Sequence, residues 1–501
     1  MEAIINTAHV SSTAQATRRD NIIVMEFNEL CPSLLERWMN EGRLPNFKRL
    51  YQQSDVFVTE ADVKDSAQLE PWIQWYSTHT GLAYDQHQVY HLTEGASAEH
   101  EDIYRTLMQA GHSVCCFAGM NVRGFAEPGS IFVGDPWTEK GDAFPAELNT
   151  YNRFVSRNVR EYSNPNDRLT GKDYADFLGY MLGHGMRLST IRKLATQLVV
   201  ERTTDRRLSY RRAFLLDLMQ FDVFRWYYKR NRPSFATFFI NSTAHMQHAY
   251  WRHHDPEAFE VKPRDDEMSV YGDAIRSGYE AMDKLVGEFL ELAAQTGARL
   301  VLMTALSQQP FLRLESKGGQ KFYRLHDVER FLRQWSVACT EVSPTMTNQY
   351  LVRFDTAEQK RAAYEQLAGF TMENGQRVID IREAEDHALY FGCGLHGSVA
   401  KDTLVNHLAS GKQVKFGDML YAIDVMKSGC HHPHGALWIA GGNGQKHASL
   451  VSILDVYPTL LELLGVAAPA QGERRGASLV PALGGGRIDR PEPALAQPAI
   501  A

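Results

Sequence analysis

The sequence predicts an α/β protein: a doubly wound, mainly parallel sheet with helices on both faces, plus one helical insertion. Three observations point there. Short, largely apolar runs at Ile22–Phe27, in "FATFFIN" ending at Asn241 and in "LVLMTAL" after Gly297 have the composition of strands buried on both faces. Between the last two, "DAIRSGYEAMDKLVGEFLELAAQTG" repeats apolar residues at helical spacing (Ile275, Tyr279, Met282, Leu285, Val286, Phe289), with Gly297 as its C-cap. Strands that alternate with helices need crossover connections, and these cover both faces of a parallel sheet.

The elements follow in order. After the first strand, Cys31-Pro32 opens a helix through Met39 that Gly42 closes, and "LPNFKRL" is a second helical turn. The first strand therefore delivers Glu26 and Asn28 to its C-terminal end, where ligands sit in open α/β sheets. Residues 151–232 change character, with arginines (Arg202, Arg206, Arg207, Arg211, Arg212) among aromatics such as Phe221, Phe224 and Trp226. They read as a helical layer with solvated arginines or as a cap over the active edge. "GALWIAGG" is a further strand, and "SLVSILDVYPTLLELLGV" is a strand or turn followed by a helix ending at Gly465. The expected division is a disordered start (1–20), core (21–150), the Arg-rich insertion (151–232) and core again (233–310). A second insertion with core elements (311–428), a final strand and helix (429–480) and a disordered Pro/Ala-rich tail (481–501) complete it.

A net charge of -7 argues against a general nucleic-acid binder, whose footprint is basic. No segment approaches the roughly 20 apolar residues of a membrane span, and no apolar h-region marks a secretory signal. Six cysteines without a CxxC pair indicate neither a zinc module nor a disulfide framework, so a reducing cytoplasm is expected.

Six segments in order resemble the alkaline-phosphatase-like superfamily, in its type I phosphodiesterase/nucleotide pyrophosphatase branch. They are "IIVMEFNELCPSLLERWMNEGRLPNFKRL", "THTGLAYDQHQV", "VGDPWTEKGDAFPAEL", "FFINSTAHMQHAYWRHHDPE", "GCHHPHGALWIAGGN" and "SILDVYPTLLELLGVAAP". The resemblance implies that superfamily's fold and chemistry at a phosphate, sulfate or similar ester, using two zinc-like ions. Carried over by position, the first-strand Asp falls on Glu26 and the D-x-x-x-H pair on Ala244 and His248. The "DHG" turn falls on Ala305 and Leu306, and the distant histidine on His431. Glu70-Pro71 or Trp72 stands where a nucleophilic hydroxyl is expected, so a conventional two-metal site is excluded.

What remains sets the site expectations. His248 and His431 are the metal-ligand candidates, for one zinc or other divalent ion; a metal-free site in which they hydrogen-bond is the alternative. Glu26, Glu70, His245 and Gln308 are the catalytic candidates, the two carboxylates dividing acid and base duties. Asn28, Gln74, Gln309 and His396 are expected to bind substrate. Trp72, Trp75, His79 and His87 read as structural. The expected function is a divergent phosphodiesterase- or sulfatase-like enzyme acting on a small anionic metabolite. A pseudoenzyme that binds such a ligand, and a non-hydrolytic transferase or lyase, are the competing classes. The expected partners are the small substrate and a second copy in a homodimer, without nucleic acid.

Overall fold

A computed structural model describes residues 21–485, apart from 66–67, 93, 138–141, 162–168, 314, 346–347, 385–386, 424–426 and 468–473. The expected disordered start and residues 486–501 of the tail lie outside the described residues.

The first strand, β1 (Ile22–Phe27), is wholly buried, and its side chains alternate between two cores. Ile23, Met25 and Phe27 join one that includes Trp38, Phe47, Tyr279 and Phe289. Ile22 and Val24 join the other, with Trp75, Tyr104 and Tyr457. A sheet with a core on each face is what the unbroken apolar runs imply.

The remaining strands of that sheet are β2 (Ser54–Glu60), β3 (Val114–Gly119), β4 (Ile131–Gly134), β5 (Phe235–Ile240) and β6 (Arg299–Thr304). A two-stranded ribbon pairs β7 (Ser307–Pro310) with β8 (Gly429–His432). Then β9 (His434–Ala440) and β10 (Val451–Ser452) return to the main sheet, whose order is β10-β2-β9-β6-β1-β5-β3-β4. β9 runs antiparallel to both neighbours, and the other pairings are parallel. The doubly wound, mainly parallel α/β class is therefore observed, with one reversed strand inside it.

The helices near the site are α1 (Pro32–Asn40), α2 (Pro45–Gln52) and α3 (Pro71–Thr80). The Arg-rich segment forms α4 (Asn149–Glu161), α5 (Gly171–Gly183), α6 (Leu188–Thr203) and α7 (Arg212–Asn231). α7 lies on the sheet, where Phe221 and Phe224 meet Phe238 and Phe289. Several arginines of the segment are paired rather than free: Arg212 with Glu201, Arg207 with Asp205 and Asp266, Arg187 with Asp222 and Glu288. Next come α8 (Ser242–His254), α9 (Ala274–Thr296) and, near the end, α10 (Val456–Leu463).

Residues 323–420 hold a core of their own around Phe331, Val352, Phe370 and Phe391. Its four-stranded sheet runs Ile379–Glu383, Ala388–Cys393, Gln349–Arg353, Glu341–Pro344, all antiparallel.

Candidate active site and metal centre

β1 ends at Phe27, and the chain turns into α1 through Asn28 and Glu29. Glu29 has φ 58°, in the left-handed region that a side chain with a Cβ rarely adopts. The turn is tied down from several sides. Asn28 Nδ2 donates to Asn241 Oδ1 (2.8 Å) and to Glu29 Oε1 (3.1 Å), and Trp75 Nε1 donates to Asn28 Oδ1 (3.0 Å). Gln247 Nε2 donates to the Glu29 carbonyl (2.7 Å), and the Tyr279 hydroxyl donates to Gln247 Oε1 (2.7 Å). These contacts hold the unusual backbone and aim the Glu29 carboxylate inward.

α8 carries His248 to the same place. Its Nδ1 lies 3.1 Å from the Gly429 carbonyl, and the backbone N–H of Ser428 donates to the His248 carbonyl (2.9 Å). A carbonyl only accepts, so Nδ1 carries the proton and Nε2 is left facing Glu29 Oε2 at 2.9 Å. Either His248 is an imidazolium, or its lone pair and a carboxylate oxygen converge where only a cation is comfortable.

The ribbon supplies the third group. Antiparallel pairing of β8 with β7 sets His431 opposite Gln308 and Cys430 opposite Gln309. His431 Nε2 is 3.5 Å from Glu29 Oε2, and its Nδ1 is 3.6 Å from Glu70 Oε2. His431 also hydrogen-bonds the Leu69 carbonyl. The His248 and His431 rings meet edge to face at 5.2 Å. Gln308 Nε2 donates to Glu29 Oε2 and to the Ala244 carbonyl (3.1 Å).

Ligand atoms of Glu29, His248 and His431 all lie within 4.8 Å of one another, the only such trio of His, Cys, Asp or Glu among the described residues. Donors bound to a tetrahedral zinc at about 2.0–2.2 Å are roughly 3.4 Å apart, so the 2.9 and 3.5 Å separations fit one cation with little movement. The Gly429 carbonyl on His248 Nδ1 holds the ring in the orientation a ligating imidazole would need.

Electrostatics divide the carboxylates. Burial favours the protonated form of Glu29, but the charges of His248 and His431 and hydrogen bonds from His248 and Gln308 outweigh it and hold the pKa near about 2. Burial also raises Glu70, to about 7, against the opposing pull of Lys427. Burial lowers His431 to about 4 despite the attraction of Glu29, with His248 and Lys427 adding to the fall. Lys427 is half-buried, its ammonium 5.4 Å from the Phe311 ring centre, with no ion-pair partner among the described residues. The site thus combines an anion, two imidazoles, a carboxyl that changes charge near neutrality and a lysine cation nearby.

The expected residues are distributed unevenly. Glu70, the N-cap residue of α3 ahead of Pro71, stands beside His431, and Gln308 beside Glu29. Asn28 touches Glu29, and exposed His245 and Asn241 open onto solvent at the start of α8. Gln309 reaches the His431 carbonyl (3.2 Å) from an exposed position. Glu26 lies apart: it points into the core below the sheet, 2.9 Å from His79 Nε2. Gln74 is buried in α3, accepting from the Asp62 N–H (2.8 Å), and exposed His396 meets Gln320 (3.3 Å) in the second insertion. Ala305 and Leu306 are fully buried, Leu306 against Ala61 and Leu69. Glu29 and Lys427 are absent from the sequence expectations. The only sequence signal for Glu29 is a carboxylate two residues past the strand, and Lys427 has none.

Comparison with known proteins places the chain. No curated protein matches it significantly. Among solved structures, it is similar to murine ectonucleotide pyrophosphatase/phosphodiesterase 5, an inactive variant in complex with AMP. Identity is 11% and the TM-score 0.37, covering 90% of this chain and 97% of that one. It is also similar to phosphonoacetate hydrolase from Sinorhizobium meliloti 1021 in complex with phosphonoformate (13%, TM-score 0.40, covering 90% and 96%). Human ectonucleotide pyrophosphatase/phosphodiesterase 5 gives 11% and 0.38, covering 90% and 97%. The profile of the type I phosphodiesterase / nucleotide pyrophosphatase family matches residues 22–311, more than half of the sequence, and the chain belongs to that family.

Proposed function

We propose that this chain is a divergent phosphoester-hydrolase-like enzyme acting on a small anionic metabolite, with a reduced site for one divalent cation such as zinc. The observation that carries the reading is the meeting of Glu29, His248 and His431 with Glu70 alongside. A cation held by these three would polarise the ester and make a bound water more acidic. The protein's own groups do the rest. Glu70 Oε2 takes the proton of the attacking water, and a carboxyl with a pKa near about 7 suits that task at neutral pH. Lys427 attracts the anionic group, and Gln308 keeps Glu29 in its ligating pose. His245, Asn28 and Gln309 are placed to line the approach of substrate. A small substrate rather than nucleic acid agrees with the net charge of -7, and a cytoplasmic setting agrees with six free cysteines.

The test is metal analysis of the purified protein, with turnover of nitrophenyl phosphate, a bis-nitrophenyl phosphodiester and nitrophenyl sulfate. The reading expects about one zinc per chain, lost in His248→Ala, and a fall of about 100-fold or more in kcat for Glu70→Gln with zinc retained. Zinc binding without turnover of any ester or neighbouring metabolite would instead favour a ligand-binding pseudoenzyme. Absence of metal together with indifference to both substitutions would sink the proposal.

A further inference from the structure

The Arg-rich segment leaves one feature that the site does not use. Of eleven large hydrophobic residues exposed among the described residues, six lie on two successive helices: Tyr174, Leu178 and Leu182 on α5, and Leu188, Leu198 and Val199 on α6. Tyr174, Leu178 and Leu182 follow one another at four-residue steps, while on α6 Leu188, Ala195 and Val199 share one face with Arg192, and Leu198 lies about a quarter turn away.

The two helices follow one another through an anchored connector, α5 packing on α4 and α6 on α7. His184 in the connector stacks on Tyr180 (3.9 Å), and Gly185, at φ +94°, packs where a Cβ would lie 2.7 Å from Trp226. Arg187 binds Asp222 and Glu288, each at 2.6 Å, and Thr190 donates to Asp222 (2.6 Å). The inner side is thereby fixed to α7, and the apolar stripes remain outside.

The charge around them is segregated. Residues 171–212 carry nine Lys/Arg against four Asp/Glu, in a chain of net charge -7. Arg192, Lys193 and Arg206 are exposed with no ion-pair partner among the described residues. Exposed leucines and valine flanked by unpaired cations match a surface that is apolar below and anionic above. Two copies of this face would bring like charges together across a self-complementary contact, and a nucleic-acid backbone would leave the leucines uncovered.

We propose that the exposed faces of α5 and α6 are a docking surface for an anionic lipid membrane, on which the protein lies peripherally. The apolar side chains enter the interface, and Arg192, extending from among them, meets the headgroups with Lys193 and Arg206. The test is flotation of the full chain with vesicles of pure phosphatidylcholine and of an equal mixture with phosphatidylglycerol. Partition into the anionic vesicles should be at least about tenfold greater and should fall as salt rises. Leu182→Asp with Leu188→Asp, and separately Arg192→Glu with Lys193→Glu, should each lower it about tenfold while circular dichroism stays unchanged. Equal partition into both vesicles, or none into either, overturns the proposal. So does a dimer, seen by light scattering, that Leu188→Asp dissociates.

Discussion

Two glutamates three residues apart each meet a histidine nitrogen at 2.9 Å, yet their surroundings differ completely. Glu26 and His79 are both sealed in the core, among Trp75, Tyr104 and Phe239. Glu26 Oε2 and His79 Nδ1 have no hydrogen-bond partner there. Glu29 meets His248, which is 32% exposed, and is joined by His431, Gln308 and Asn28. The first pair is closed on itself. The second belongs to a cluster that opens to solvent at His248. A carboxylate–imidazole contact does not by itself make a site; the number of convergent donors and their access to solvent do.

The largest effect should come from the sealed pair. Removing Glu26 leaves His79 without its buried partner and opens a cavity, so Glu26→Ala should cost about 3–5 kcal/mol in urea unfolding. Zinc affinity should be unchanged; loss of zinc from a folded Glu26→Ala protein would break the contrast between the pairs.

A third buried carboxylate sharpens it. Asp217 receives hydrogen bonds from Ser242 and the Asn241 backbone at the start of α8, but burial dominates and raises its pKa to about 7. The folded protein therefore holds a proton that the unfolded chain releases near the usual value of 3.8. The resulting stability is full below that value, declines as pH rises and is lost above about pH 7. Asp217→Asn should remove this slope, gaining about 4 kcal/mol at pH 8 relative to the parent. An unchanged slope in pH-dependent unfolding would contradict it.

Within the open cluster, Glu29→Gln keeps the shape and removes the charge. Zinc affinity, read by competition with a chelating dye, should fall about 100-fold, close to 2.7 kcal/mol. The smallest effect is expected of Gln308→Leu, which leaves Glu29 its histidines but removes one donor. About a tenfold loss of affinity is expected, and none at all would show that Gln308 does not orient the carboxylate.

The two glutamates also show what the sequence could reveal. The apolar runs and their alternation with helices follow from local pattern, and His248 and His431 are singled out through the family resemblance. Glu26 lies within the strand, and the two-residue period puts it on the side of Ile22 and Val24, below the sheet. The same parity leaves the edge to whatever follows Phe27. Glu29 escapes a sequence reading because its direction depends on a left-handed backbone held by Gln247 and Tyr279, more than 200 positions away. Gln308 meets the cluster through the register of β7 with β8, a pairing across some 120 residues. Lys427 follows from the same ribbon, since its strand begins two residues later.

The reversed strand has a consequence for synthesis. β9 separates β2 from β6, so until residues 434–440 emerge β2 has no partner next to the rest of the sheet. The ribbon strand that carries His431 directly precedes it. A nascent chain can thus assemble β1, β5 and β6 early, but the zipper between the two parts closes only when this late segment inserts. If Glu29, His248 and His431 hold a cation as proposed, its capture would be coupled to completion of the sheet: a chain stalled before His431 lacks one of the three groups, and ion loading would report that β9 has arrived.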